Sequence, residues 1–197
     1  GAAAPGASAE AGGADAAARG TPGAAHRRLL SSVSMLSDAL AEGRGLGRVV
    51  QIATDALLDA LGADRVVYFA RDDAAAAYRP RVSAGMAITL LRGRIAMPVQ
   101  FAPDLFHAAL ARGADLHIAD CASESVRSKL PAWHAQVFPS TRGFLLLPVM
   151  VDGRPMGFFY ADRDAAGAPP PDPEQAEAVR LLRNQVVLAL RTEPATR

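Results

Sequence analysis

Residues 144–162 constrain the fold more than any other part of the chain. Phe144–Val151 and Pro155–Asp162 are apolar runs separated by Asp152 and Gly153, a pair that tolerates positive φ and suits a tight hairpin. In the first run both side-chain parities are apolar: Leu145, Leu147, Val149 and Val151 on one, Phe144, Leu146 and Met150 on the other. Alternate residues of a strand point to opposite faces, so this strand needs cover on both and belongs in the middle of a sheet. Pro148 conflicts with a central position, because it has no N–H for the ladder; a bulge there would reconcile the two.

The other elements follow from spacing. Leu29, Val33, Leu36 and Leu40 form a narrow heptad-like stripe that predicts a helix over His26–Glu42, broken by Gly43, Gly45 and Gly47. A second helix is expected from Arg48 to Leu61, with Gly62 as its left-handed stop. Strand signals cover Arg65–Ala70, Tyr78–Ala84 and, briefly, Asp115–Ala119; a short helix is expected over Ala102–Arg112. Residues 85–100 are ambiguous, and Cys121–Gly143 reads as irregular with a turn of helix at Glu124–Leu130. A last helix starts at Pro173, with Asp172 and Gln175 in capping-box spacing and Val179, Leu182, Val186 and Ala189 on one stripe. Helices, strands, a hairpin and a closing helix in this order predict an α+β fold with helices packed on an antiparallel sheet.

Composition narrows the classes. Twenty of the first 25 residues are Ala, Gly or Pro, and none is a large apolar residue, so 1–25 is expected to be a disordered linker to an upstream domain. One domain is expected over 26–192, followed by a short tail, 193–197. No apolar run approaches the ~18 residues of a membrane span, and the linker lacks the pattern of a secretory signal. A net charge of +1 gives no electrostatic case for nucleic acid or a membrane surface. A single cysteine, Cys121, excludes an internal disulfide. The expected location is the cytoplasm.

Several segments together resemble a known family. They are Leu61-Gly62-Ala63-Asp64-Arg65-Val66-Val67, Leu130-Pro131-Ala132-Trp133, Leu147-Pro148-Val149, Asp152-Gly153-Arg154-Pro155-Met156-Gly157, Tyr160-Ala161-Asp162-Arg163 and the helix ending in 182–191. In order and spacing the chain resembles a GAF domain, a small-molecule sensor fold, and is most similar to GAF-like domains that accompany HDOD modules in bacterial signalling proteins. The resemblance implies terminal helices on one face of the sheet and a pocket covered by loops and short helices on the other. It does not imply a ligand, since GAF domains bind very different molecules. No Asn-Lys pair of the cyclic-nucleotide type is present, Cys121 is followed by Ala122 and not His, and there is no second cysteine to resolve a sulfenic acid.

Candidate residues follow from chemistry and from that pocket. Trp133 and His134 lie in the long loop expected to cover it, as a ligand lid or as an apolar plug. Tyr68 and Tyr160 are strand aromatics whose hydroxyls need partners. Arg79, Arg81, Arg92 and Arg94 suit a carboxylate or phosphate, or are simply solvated. The expected ligand-binding set is Tyr68, Arg81, Phe101, Phe106, Asp120, Trp133, His134 and Tyr160. His117, Asp120 and Cys121 are ligand types within five residues, with His107 or His134 conceivable additions, but they read as a strand-end histidine and a buried thiol, so no metal and no cofactor is expected. Gly43–Arg48 lacks the strand before and the Lys-Ser/Thr after that a phosphate loop needs. Ser83-Ala84-Gly85 is only a fragment of a nucleophile elbow, so no catalytic residue is assigned.

The leading expectation is a regulatory domain that binds an unidentified small molecule, with an anion as one option, and relays its presence through the terminal helices. The alternative is a ligand-free dimerisation and relay module, a homodimer built on Leu29, Val33, Leu36 and Leu40. An enzyme is the third reading.

Overall fold

The computed structural model describes residues 22–167 and 169–192, with side chains from residue 31. Along the chain come α1 (Pro22–Ala41), α2 (Gly45–Leu61), β1 (Arg65–Asp72), β2 (Ala77–Ala84), β3 (Met97–Pro98), α3 (Leu105–Arg112), β4 (Leu116–Ile118), α4 (Glu124–Arg127), α5 (Ala132–Val137), β5 (Gly143–Val151), β6 (Arg154–Arg163) and α6 (Pro173–Thr192). The strands form one antiparallel sheet in the order β3-β2-β1-β6-β5-β4. This is the expected α+β architecture.

The hairpin organises the two cores. Asp152 and Gly153 have φ of 49° and 76°, the double positive φ of a type I′ turn, whose twist matches the strands it joins. From β5 and β6, Leu145, Leu147, Val149, Phe159 and Ala161 pack with α1, α2 and α6, while Phe144, Leu146, Phe158 and Tyr160 fill the other core. That second core is closed by α3, α5 and the segment carrying Leu91, Ile95 and Met97. Pro148 is accommodated without a bulge of its own. The three residues of β4 pair only with 144–146, so β5 is an edge strand beyond Leu146, the kind of position where a sheet tolerates proline. The register shift falls one residue later, between Val149 and Met150.

Several boundaries differ from the sequence reading. The first helix begins at Pro22, four residues before His26, so the end of the expected linker is helical; residues 1–21 and 193–197 lie outside the described residues. The break after α1 is shorter than three glycines suggest, because Gly45 and Gly47 lie within α2. Residues 85–100 hold a 3₁₀ turn at Ile88–Leu90 and the two-residue β3, too short to show periodicity. The long loop carries α5 as well as α4, with Pro131 just before its first turn. The capping box forms reciprocally: Gln175 N donates to Asp172 Oδ1 at 2.8 Å, and Asp172 N donates to Gln175 Oε1 at 3.1 Å.

The stripe expected at a dimer interface faces the domain's own core. Leu36 is 0% exposed, and Val33 and Leu40 pack against the same cluster. The side chain of Leu29 is outside the described ones. A helix on the surface of a three-helix layer buries its apolar stripe inward first, and Val33, Leu36 and Leu40 accordingly contribute to the domain's own core. Among the described residues, no helix is long and apolar enough to cross a membrane.

Candidate functional site

The site expected to be a pocket is a sheet face filled by aromatic rings. Phe106, projecting from α3, lies at its centre, edge-on to Trp133 at 5.4 Å between centroids and within 5.9 Å of Phe144 and Tyr160. Phe69 stacks on Phe158 at 4.6 Å, and Phe138 lies 4.8 Å from Tyr160. Such contacts bury large areas and hold α5 against the sheet by side chains, since α5 belongs to no strand ladder.

Polar groups are threaded through these rings. His134 Nε2 lies 2.8 Å from Tyr160 Oη. Burial lowers the His134 pKa to about 4, so the ring is neutral at physiological pH, and its tautomer sets which of the two groups donates. Burial likewise pushes the Tyr160 hydroxyl well above its ordinary range, with nearby Asp162 adding to the effect. Tyr160 Oη also lies 3.5 Å from Thr141 Oγ1, and Thr141 donates to Asp162 Oδ2. Asp162 is 1% exposed; burial raises its pKa, against the opposing pull of Arg65 and Thr141. Arg65 Nε donates to Asp162 Oδ1 at 2.8 Å, and its other nitrogens reach Ser140, Thr141 and Asp164. A hydrogen-bonded chain therefore runs from Arg65, whose side chain is 16% exposed, to the centre of the aromatic core.

One donor on this face is left over. Trp133 Nε1 is buried beside the His134–Tyr160 pair, with no acceptor among the described residues within hydrogen-bond reach. A buried orphan donor costs about 1–3 kcal/mol, so most native structures avoid it.

Of the residues expected to bind a ligand, Phe106, Trp133, His134 and Tyr160 come together, and four do not. Tyr68 pairs with Phe159 in register and points into the helix-side core, with their rings 4.9 Å apart, because it is one residue out of phase with Val67 and Phe69. Phe101 is 64% exposed and only grazes His107. Asp120 accepts from Ala122 N and lies 3.5 Å from Arg142, a local turn contact. Arg81 sits on the outer edge of β2, paired with Asp72 at 3.1 Å.

Sequence reasoning passed over Arg65, Thr141 and Asp162 as site residues. The available signal was Asp162, a carboxylate two positions from Tyr160 in an otherwise apolar strand and hence on the same face. His107 was read only as a conceivable ligand; it is buried between Asp104, whose carboxylate binds both its ring and its backbone N–H, and the Pro98 carbonyl.

Thiol and metal chemistry find little support. Burial, aided by Asp120 and Asp162, pushes the Cys121 thiol up to about 11, so almost none is thiolate at neutral pH. Among the described residues, no three His, Cys, Asp or Glu side chains gather as metal ligands would.

The family model of the GAF domain matches residues 43–191. No curated protein matches the chain in sequence. Among solved structures, the GAF domain of an Acinetobacter phosphoenolpyruvate-protein phosphotransferase is similar at 16% identity and a TM-score of 0.64, covering 86% of this chain and 96% of that one. Free methionine-R-sulfoxide reductase from Neisseria meningitidis, solved with its substrate, is similar at 17% identity and a TM-score of 0.65, covering 87% and 92%. The GAF domain of PixJ from Thermosynechococcus elongatus, in its blue-light-absorbing form, is similar at 17% identity and a TM-score of 0.56, covering 77% and 89%. At these identities the likenesses concern the fold alone. With most of its length matched by the family model and its sheet and helices arranged as in these neighbours, the chain belongs to the GAF domain family.

Proposed function

We propose that this GAF domain is a regulatory module of a bacterial signalling protein, in which a small molecule binds on the covered sheet face beneath α5 and the terminal helices carry the response. The observation that carries this reading is Trp133 Nε1, on the element that closes the face, a buried donor without an acceptor among the described residues. A small molecule with an acceptor atom, entering as α5 shifts, would satisfy it. The polar chain offers a route outward. Tyr160 and Asp162 lie on β6, the next residue Arg163 donates to the Leu61 carbonyl at the end of α2, and Gln175 at the start of α6 donates to the Ala60 carbonyl at 3.0 Å. A displacement of β6 on one face thus reaches the ends of two helices on the other. An upstream domain, of the HDOD type by resemblance, and a cytoplasmic setting complete the proposal.

A second reading is a ligand-free relay that works through dimerisation. It is favoured by the tight ring packing of the covered face and by a groove of about 690 Å³ between α1, α2 and α6, lined by Leu40, Leu46 and Leu188, the last 49% exposed. Reductase chemistry like that of the Neisseria neighbour is opposed by the protonated Cys121 thiol and the lack of a second cysteine.

Mass spectrometry of small molecules co-purifying with the native protein separates these readings. One compound retained stoichiometrically by the wild type and lost from Trp133→Phe supports a sensor; nothing retained by either protein favours the relay.

A further inference from the structure

A second charged site lies away from the covered face. Beyond Tyr78, the outer edge of β2 has no strand partner, because β3 pairs only with Ala77 and Tyr78. Opposite that edge stands the turn Arg92-Gly93-Arg94, and between them lies a groove of about 410 Å³ lined by Arg79, Pro80, Arg81, Arg92, Ile95 and others. This is within the ~300–1,000 Å³ range of small-ligand sites.

The turn is firmly held. Leu91 and Ile95, on either side of it, are buried in the second core, Gly93 takes φ of 75°, and Arg94 N donates to the Leu91 carbonyl. The charge is unbalanced. Among the described residues no carboxylate lines the groove, Asp72 is shared between Arg81 at 3.1 Å and Arg79 at 3.8 Å, and Asp73 is taken by Arg71 and Arg154. Arg92 has no ion pair among the described residues.

We propose that this groove binds a small phosphorylated anion, clamped between the Arg79 and Arg81 guanidiniums on β2 and Arg92 on the opposing turn. Guanidinium forks match phosphate oxygens in pairs, and a phosphate dianion brings more oxygens and more charge than the one Asp72 carboxylate that Arg79 and Arg81 share. An acidic strand adding to the sheet edge is disfavoured: Pro80 removes an N–H in the middle of that edge, and the turn stands opposite it.

Titration calorimetry with inorganic pyrophosphate in low-salt buffer tests the assignment. Saturable 1:1 binding is expected, weakened by at least ~10-fold in Arg92→Ala and in Arg81→Ala and unchanged in Arg180→Ala, an exposed arginine elsewhere. All three positions are exposed, so folded variants are expected, and circular dichroism verifies them. Absence of saturable binding, or equal affinity in Arg92→Ala, overturns the proposal. Tighter binding of a poly-glutamate peptide through the same arginines also overturns it, in favour of a protein partner. The result is independent of the covered face, because Trp133 fluorescence reports that face separately in the same samples.

Discussion

Tyr160 and His134 share a hydrogen bond of 2.8 Å in the middle of the aromatic core, between the phenol oxygen and a neutral imidazole. His134 depends on this contact, because the Tyr160 hydroxyl is the hydrogen-bond partner of its buried ring nitrogen, whereas Tyr160 also reaches Thr141. Tyr160→Phe keeps the ring and removes the hydroxyl. The expected cost is about 1–3 kcal/mol in denaturant unfolding, the usual penalty for orphaning a buried partner.

The same pair gives a pH dependence. The unfolded histidine takes a proton near its ordinary value of 6.5, whereas the folded one resists until about 4. As pH falls through this window the unfolded state binds more protons, so stability is lost, by roughly 3 kcal/mol once both forms are protonated. Comparing unfolding curves at several pH values between 7 and 4 for the wild type and His134→Gln isolates this contribution, and the variant should show the shallower decline.

Gly157 lies where β6 passes β1. A Cβ there would collide with the Phe69 backbone carbonyl and come within 2.7 Å of Tyr68 Oη. The carbonyl belongs to a central strand and cannot move aside. Gly157→Ala is therefore expected to destabilise the domain by about 1–3 kcal/mol, read as a lower Tm, although alanine is the smallest possible addition.

Leu36 tests the reassignment of the first helix. Leu36→Ala should cost about 2–5 kcal/mol, as for a buried leucine, and leave the sedimentation coefficient of the folded protein unchanged. A clean fall to a smaller species with unaltered stability would instead restore this stripe to a dimer interface.

Cys121 should behave as an inert thiol. Its reaction with a disulfide reagent at pH 8 is expected to be slow in the native protein and to accelerate sharply in urea, because burial holds it protonated.

These outcomes mark what was legible in the sequence. The hairpin was readable because Asp152-Gly153 and the two apolar runs act locally, and so was the cap of α6, set by Asp172 and Gln175. The two-sided cover of the sheet followed from the parity of β5 alone. What could not be read was relative phase. Tyr68 and Tyr160 are both strand aromatics, but which face each takes depends on the register between β1 and β6, a long-range property. Arg81 was assigned to the pocket for its chemistry, and it lies on an edge defined by how little of β2 is paired by β3. The residues that complete the polar chain, Arg65 and Thr141, come from distant segments with no local pattern. Only the lone Asp162 within an apolar strand hinted at them.

The central claim is that the covered face receives a small molecule through Trp133. As Trp133 is the only tryptophan, its indole N–H gives one resonance in a nitrogen–proton correlation spectrum. Titration with a protein-free small-molecule extract of the native cells should move that resonance downfield, as a donor that gains an acceptor, together with the amides of β6 and the start of α6. An indole resonance that stays in place at saturating extract would contradict the claim.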